Sequence, residues 1–528
     1  MKLVFDVTNE NYHVGHLCMD ALRTRPDAVC QIDAATGKSE TNASVLARSI
    51  QLARCFRKLG AKPGDVLALG GRNHLDIHIP YYAALMIGMP TAGVNPLFKP
   101  SEIKKLFKIC LPRIAFCQKE DLDTYQAIKE ELGLNTEIIC FDEGRHSLAS
   151  FIEKYEDKED QEEFMPVILD QDKHYAGLIS TGGTTGSFKL AAFTYRAFMK
   201  KLIIILAAST QHPADENKTN LHISPVQWLS SYISTITSPL LHLTKVQSSS
   251  HMTDEHLIDI INQYRPIYGF WNPPVVNALL KSEKKCDFTC FDSIILSGAT
   301  IHKDILLELR KRVRPGASVI QMYGLTENLG RTLAGAPEGP LGNCGKILPE
   351  LPPVKIVDLE TGKEITEPNV PGELWAQGVS FSGYYNNPEE TATCFTEDGW
   401  YRTGDILYRD EKGYFFFIER IKMMIKYRIR HVYPMEIEEV IREHPGVRDV
   451  SVTSVPHEDD GEHPVACIVR APGSNVTADE IKEMVADKLS DPQKLRGGVI
   501  FMDQLPLSST GKLARGELRK LVLTLHRE

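Results

Sequence analysis

The chain has 528 residues, 42% hydrophobic, 24% charged and 8% aromatic, an ordinary composition for a soluble globular protein and too long for one hydrophobic core. Its net charge of −9 argues against a broad nucleic-acid-binding surface, and its longest strongly apolar run, residues 202–208, is too short to cross a bilayer. The eleven cysteines are scattered and never spaced Cys-x-x-Cys, which predicts reduced packing residues of a cytoplasmic type of compartment.

In chain order, the first signal is a helix capped by Asn42. Its apolar positions Leu46, Ile50 and Ala53 adjoin a second stripe of Val45, Leu52, Phe56 and Leu59, and Gly60 follows its end. Residues 62–65 (Lys-Pro-Gly-Asp) turn into an apolar strand over 66–69, and helical spacing resumes over 77–87. An apolar strand at 293–296 before a helix at 303–313 repeats the alternation, which predicts layered α/β architecture with substantial parallel sheet. From about Lys346 the pattern shifts to short strands at 354–357, 372–375 and 413–418, a β-rich subdomain over 346–418.

After Arg420 the pattern is that of a small α+β domain. Pro434 opens a helix with Ile437, Val440 and Ile441 inward, and Thr477 with Glu480 forms a capping box ahead of Ile481, Met484, Val485 and Leu489. Strands are predicted at 450–455 and 465–470. The predicted fold class is therefore α/β, with a large N-terminal domain over 1–420 and a smaller one over 421–528. The charged run 154–163 is read as an exposed face, Cys286 and Cys290 as inert, and residues 202–206 as core helix rather than an acyl tunnel. His457, Glu458, Asp459, Asp460, Glu462 and His463 look like a metal cluster but lack helical ligand spacing, and are read as a solvated loop.

Four segments carry chemistry. Ser180-Thr181-Gly182-Gly183-Thr184-Thr185-Gly186-Ser187-Phe188-Lys189 combines hydroxyls, close-approach glycines and an ammonium, the groups that hold a polyphosphate. It is not a Walker A loop, because two residues separate Gly186 from Lys189. Met322-Tyr323-Gly324-Leu325-Thr326-Glu327 offers an aromatic face, a hydroxyl and a carboxylate suited to magnesium. Asp405, closing Tyr401-Arg402-Thr403-Gly404-Asp405, is placed to accept hydrogen bonds from vicinal hydroxyls, and Pro506-Leu507-Ser508-Ser509-Thr510-Gly511-Lys512 presents a lysine on a loop.

Together with Val94-Asn95-Pro96, Ser382-Gly383-Tyr384-Tyr385-Asn386-Asn387-Pro388, Ile425-Lys426-Tyr427 and Pro434-Met435-Glu436-Ile437-Glu438, these segments resemble the AMP-forming adenylating enzymes, a family of acyl- and aryl-CoA synthetases, 4-coumarate–CoA ligases and beetle luciferases. The resemblance runs over nearly the whole chain and implies a two-step reaction. A carboxylate attacks the α-phosphate of Mg-ATP, giving an acyl-adenylate and pyrophosphate, and CoA thiolate then displaces AMP. It places Thr181, Thr184, Thr185 and Lys189 on phosphates, Glu327 on Mg2+, Tyr323 and Thr326 by the nucleotide, and Asp405 and Arg420 on the ribose. Lys512 is implied as the adenylation lysine and Lys426 as the lysine of the second step, on a mobile lid hinged near Lys422. Trp228, Gly298 and Ala299 are implied in the acyl pocket, for a medium- to long-chain fatty or aryl acid.

The chain also departs from that pattern. Phe188 and Leu190 flank Lys189 where the family has Pro and Gly, Gly182 replaces a Ser/Thr, Ala299 replaces a glycine, Trp228 stands where relatives often have histidine, and Ile429 replaces a glycine near the CoA channel. A β-branched residue does not take positive φ without strain, so thioester formation is expected to be slow relative to adenylation. A luciferase-like monooxygenase and a nucleotide- or acyl-binding protein without turnover are the alternatives. Neither a nucleic-acid partner nor a membrane span is expected, and no Ser-Lys-Leu peroxisomal address closes the sequence, although many relatives are peroxisomal.

Overall fold

A computed structural model describes residues 9–156, 163–182, 188–209, 218–349, 351–428, 430–507 and 513–528. Two seven-stranded sheets build the bulk of the chain. The first runs Ser318–Gln321, Ser293–Leu296, Tyr268–Trp271, Thr219–Leu221, Thr244–Gln247, Val29–Asp33, Ser39–Thr41, parallel except for its last pair. The second runs Gly383–Tyr384, Phe188–Thr194, Tyr175–Gly182, Thr91–Val94, Leu67–Gly70, Ile114–Cys117, Glu137–Cys140, with the first two pairs antiparallel and the rest parallel. Parallel pairing demands crossover helices that cover the faces. The Ile79–Ile87 helix is apolar or small all round and buried at every position, the signature of a helix packed on all sides. Gly88 ends it at φ +83, a conformation that glycine takes without steric cost.

The predicted Asn42 cap is displaced by one residue. Thr41 is the N-cap and accepts from Ser44 N–H, while Asn42 turns inward and donates its amide to Arg25 O at 2.9 Å. The strand leading into this helix ends at Thr41, so the hydroxyl, not the amide, meets the free N–H groups.

Val354–Val357, Gly372–Gln377, Trp400–Arg409 and Phe415–Arg420 form a four-stranded antiparallel sheet. Only the short turn Ile421–Met423 and Met424 separate it from Ile425–Tyr427, the first strand of a five-stranded sheet with Arg430–Val432, Gly461–Arg470, Val447–His457 and Gly498–Phe501. The helices Pro434–Arg442 and Ala478–Lys488 pack on that sheet, the second opened by the Thr477/Glu480 capping box as the sequence predicts. The architecture is mixed α/β, with a large N-terminal and a smaller C-terminal part. Among the described residues, no helix is long and apolar enough to cross a membrane.

Residues 458–460 are the turn of a hairpin, with His457 and His463 on its two paired strands, rather than part of a loose loop. There Asp460 accepts from Arg428 Nε at 2.6 Å and lies 2.8 Å from His463 Nε2. The Leu202–Leu206 stretch splits: Leu202 is buried in the main core, but Ile204 and Ile205 face an open cleft. Cys286 and Cys290 are raised to about 12 and about 11 by burial, in keeping with inert thiols.

Glu438, on the Pro434–Arg442 helix, holds the C-terminal helix Arg515–Leu521 in place. Its two oxygens take Arg515 Nη1 and Nη2 at 2.8 and 3.0 Å, and Oε1 also accepts Val452 N–H at 2.8 Å. Burial alone would push this carboxyl up, but Arg515, Arg442 and the Val452 N–H hold it below its ordinary value. Glu438→Ala strands Arg515 and is expected to destabilise the small part by about 3 kcal/mol in chemical denaturation. Because the folded carboxyl is depressed, its contribution is present above the ordinary glutamate range and is lost as pH falls through the lower folded value. A change under about 1 kcal/mol would contradict this role for Glu438.

Candidate active site

Asp405 lies on the Trp400–Arg409 strand, opposite Arg420 in the register of the neighbouring strand. Only 1% of its side chain is exposed. Tyr323 O–H donates to Oδ2 at 2.7 Å, and Oδ1 sits 2.8 Å from Arg420 Nε, an ion pair without hydrogen-bond alignment. Burial pushes the Asp405 carboxyl up, against the pull of Arg420 and the Tyr323 hydroxyl. Asp405 in turn is the main cause that raises Arg420, and burial with Asp405 raises Tyr323.

Glu327 sits in the turn Thr326–Asn328 of the hairpin between Gly324–Leu325 and Gly330–Arg331, where Leu329 and Gly330 take φ +48 and +95. Tyr384 O–H donates to its Oε1 at 2.8 Å, and Oε2 has no protein partner among the described residues. The Lys189 ammonium lies over the Tyr384 ring, 4.9 Å from its centroid, and pairs with Glu390. Tyr384 thus touches both the predicted phosphate-handling lysine and the predicted metal-handling carboxylate. One carboxylate with a free oxygen suits Mg2+, which takes one or two protein carboxylates beside phosphate and water.

A cleft of about 2570 Å³ opens in front of this network. Thr181, Thr326, Trp228, Gly298, Ala299, Arg420 and Lys426 line it, so seven of the predicted positions share one space. Lys189, Glu327 and Asp405 stand behind its wall. Tyr323 does too: the residue is 8% exposed and packed in the main core, tied there by its hydroxyl, while Met322 and Gly324 on either side line the cleft.

The local folding explains these placements. Thr181 and Lys189 are cross-strand partners, so the Gly/Thr segment joins two antiparallel strands. Gly93 admits the 225–228 segment against the second sheet, since a Cβ there would fall 2.4 Å from Gln227 Cα. That contact sets Trp228 at the N-cap of the Leu229–Leu240 helix and at the cleft wall. On the small part, Lys426 is exposed on Ile425–Tyr427, and the adjoining turn places Arg428 at φ +53.

Thr184, Thr185, Ile429 and Lys512 lie outside the described residues. Leu507 and Leu513, on either side of 508–512, pair with each other and both line the cleft. Sequence reasoning gave no role to Tyr384, Glu390, Lys201 or Arg331. Tyr384 was findable within the quoted Ser382–Pro388 segment, whereas Glu390 meets Lys189 across 201 positions and no local signal marks it.

Residues 19–385 match the model of the AMP-binding enzyme family, and residues 436–512 match that of the AMP-binding enzyme C-terminal domain. The chain is 29% identical over 520 residues to luciferin 4-monooxygenase of Photinus pyralis, covering 96% of this chain and 94% of that protein. It is 30% identical over 510 residues to 4-coumarate–CoA ligase-like 6 of Oryza sativa subsp. japonica, covering 92% and 83%. Among solved structures, ATP-bound MatB from Rhodopseudomonas palustris superposes with a TM-score of 0.84 at 23% identity, covering 96% of this chain and 99% of that one.

Proposed function

The chain belongs to the AMP-binding enzyme family, and from that membership we propose that it is an AMP-forming acid–thiol ligase using ATP, Mg2+ and CoA. A carboxylate oxygen forms a bond to the α-phosphorus as the bond to pyrophosphate breaks. The CoA thiolate then bonds to the acyl carbon as AMP leaves.

The observation that carries this reading is the convergence of Arg420, Thr181, Thr326 and Lys426 on one cleft, with Asp405 paired to Arg420 just behind the wall. Asp405 and Arg420 hold the ribose hydroxyls, and Tyr323 fixes Asp405 from behind. Thr181, Thr184, Thr185 and Lys189 take phosphate oxygens, Lys189 exchanging Glu390 for one of them. Glu327, oriented by Tyr384, would hold Mg2+, which neutralises phosphate charge. Lys512 stabilises charge at the phosphorus, and Lys426 serves the thiolation step after the lid swings about Lys422. We take residues 1–420 and 421–528 as the two moving parts and, from eleven free cysteines, place the protein in the cytoplasm.

The acid we propose is compact and aryl or polar rather than a long alkyl chain. Ser230, Ser234 and Thr237 of the Leu229–Leu240 helix, with Asn220 and His222, give one cleft wall hydroxyl, amide and imidazole groups, and Trp228 adds an aromatic face. These groups already bond to protein partners, Asn220 Nδ2 to Ser234 Oγ at 3.0 Å and Ser230 Oγ to Ser224 Oγ at 2.7 Å among them, and their remaining lone pairs and donors match a polar or aryl acid where an alkyl chain offers nothing in return. Carboxylate-dependent ATP–pyrophosphate exchange across aryl, short polar and long-chain acids tests this: aryl or short polar acids should lead. Exchange confined to long chains would reverse the assignment, and no exchange with any acid would overturn the reaction.

The slow second step is tested at Ile429. Ile429→Gly is expected to speed thioester formation several-fold with exchange nearly unchanged; parallel changes in both would contradict the idea.

A further inference from the structure

Resting on the adenylation reading, the inference concerns the acyl end of the cleft. Lys201 projects from the Tyr195–Ser209 helix with 5% exposure, lines the cleft, and donates from Nζ to Arg331 O at 2.9 Å. An ammonium has three donors, and among the described residues no carboxylate meets this one. Burial, with the nearby Arg331 charge, pushes Lys201 down to about 8. Arg331 lines the same cleft and makes no ion pair among the described residues. Two unneutralised cations therefore share one wall.

Apolar side chains flank them, although Asn328 Nδ2 shares the Arg331 carbonyl at 3.3 Å. Ile204, Leu229 and Leu329 line the same region. Leu229 Cδ2 lies 3.6 Å from the position of a Cβ on Gly330, so the start of the Leu229–Leu240 helix closes on the hairpin that carries Arg331. Burying an ammonium without a counter-charge is costly, and the same apolar setting strengthens its attraction for an anion. Through the hairpin, Arg331 is only five residues from Thr326, so this end and the reacting end are linked by one tight turn.

We propose that the substrate acid carries a second acidic group, an oxyanion at its far end, which docks on Lys201 with Arg331 beside it. The reacting carboxylate then faces the nucleotide side at Thr326 and Arg420. Lys201 is a specificity residue in this account, since it touches the substrate away from the reacting atoms.

The test compares a dicarboxylic acid with its monoamide, equal in shape but neutral at one end, in ATP–pyrophosphate exchange. The wild-type protein should favour the diacid, and Lys201→Met should cut that preference in kcat/KM by about 10²-fold, with Lys201→Arg restoring most of it. Methionine fills a similar volume, and a thermal melt of the variant checks its folding. Equal kcat/KM for the two acids, or equal losses for both in Lys201→Met, would overturn the inference while leaving adenylation standing. Exchange with no acid would overturn adenylation and this inference with it. An acid with a phenol in place of the second carboxylate distinguishes the anion: if it outperforms the diacid and depends on Lys201, the group is a phenolate and the site is supported.

Discussion

Lys512→Met is expected to slow ATP–pyrophosphate exchange by about 10²–10³-fold, the usual effect of removing a donor aimed at developing charge. Lys426→Met is expected to leave exchange within about threefold and to slow thioester formation from preformed adenylate. The reasoning starts from position. Both lysines belong to the small part, joined to the rest through Ile421–Met423 and Met424. Lys426 lines the cleft, as do Leu507 and Leu513 on either side of the Lys512 segment. In the mechanism proposed, the two lysines serve two successive transition states at one cleft through two orientations of the part that carries them. Stopped-flow separation of the half-reactions checks the split. If each variant slowed both halves equally, the lysines would act together and the two-orientation account would fail.

Asp405→Ala is the second large effect, a loss of about 10²–10⁴ in kcat/KM for ATP. Hydrogen bonds to a charged group contribute roughly 1.5–3 kcal/mol each, and a carboxylate facing vicinal hydroxyls makes two. The variant also strands Arg420, whose guanidinium Asp405 holds 2.8 Å away. Tyr323→Phe should cost far less, because Arg420 still faces the carboxylate. Asp405→Asn keeps the shape and separates charge from packing. As burial raises the Asp405 carboxyl, ATP affinity should begin to fall on acidification above the usual aspartate range. An Asp405→Ala protein with a normal melt and ATP dependence within threefold of wild type would remove Asp405 from the site.

The parts of the fold that the sequence makes legible are those decided locally. The Thr477/Glu480 box, the Pro434 helix and the strand at 293–296 appear where their patterns predict, because caps, proline and apolar runs act within a few residues. The site is legible only as a set of motifs. Helical periodicity marks the Tyr195–Ser209 helix as apolar but does not tell a core-facing side chain such as Leu202 from Ile204, which faces the cleft. It likewise hides Lys201, a charge at a position that reads as solvent and is buried. Thr41 rather than Asn42 caps its helix because the preceding strand fixes where the chain enters. A partner set by tertiary contact, such as Glu390 for Lys189, leaves no local trace, and the Ser382–Pro388 motif that contains Tyr384 does not say that its hydroxyl meets Glu327.

The most direct measurement follows an oxygen atom. With a substrate acid labelled with 18O in its carboxylate, attack on the α-phosphorus and later acyl transfer to CoA leave one labelled oxygen in AMP. The account predicts AMP carrying a single 18O per turnover, with unlabelled pyrophosphate. Label in inorganic phosphate with ADP formed, or AMP free of label, would contradict it.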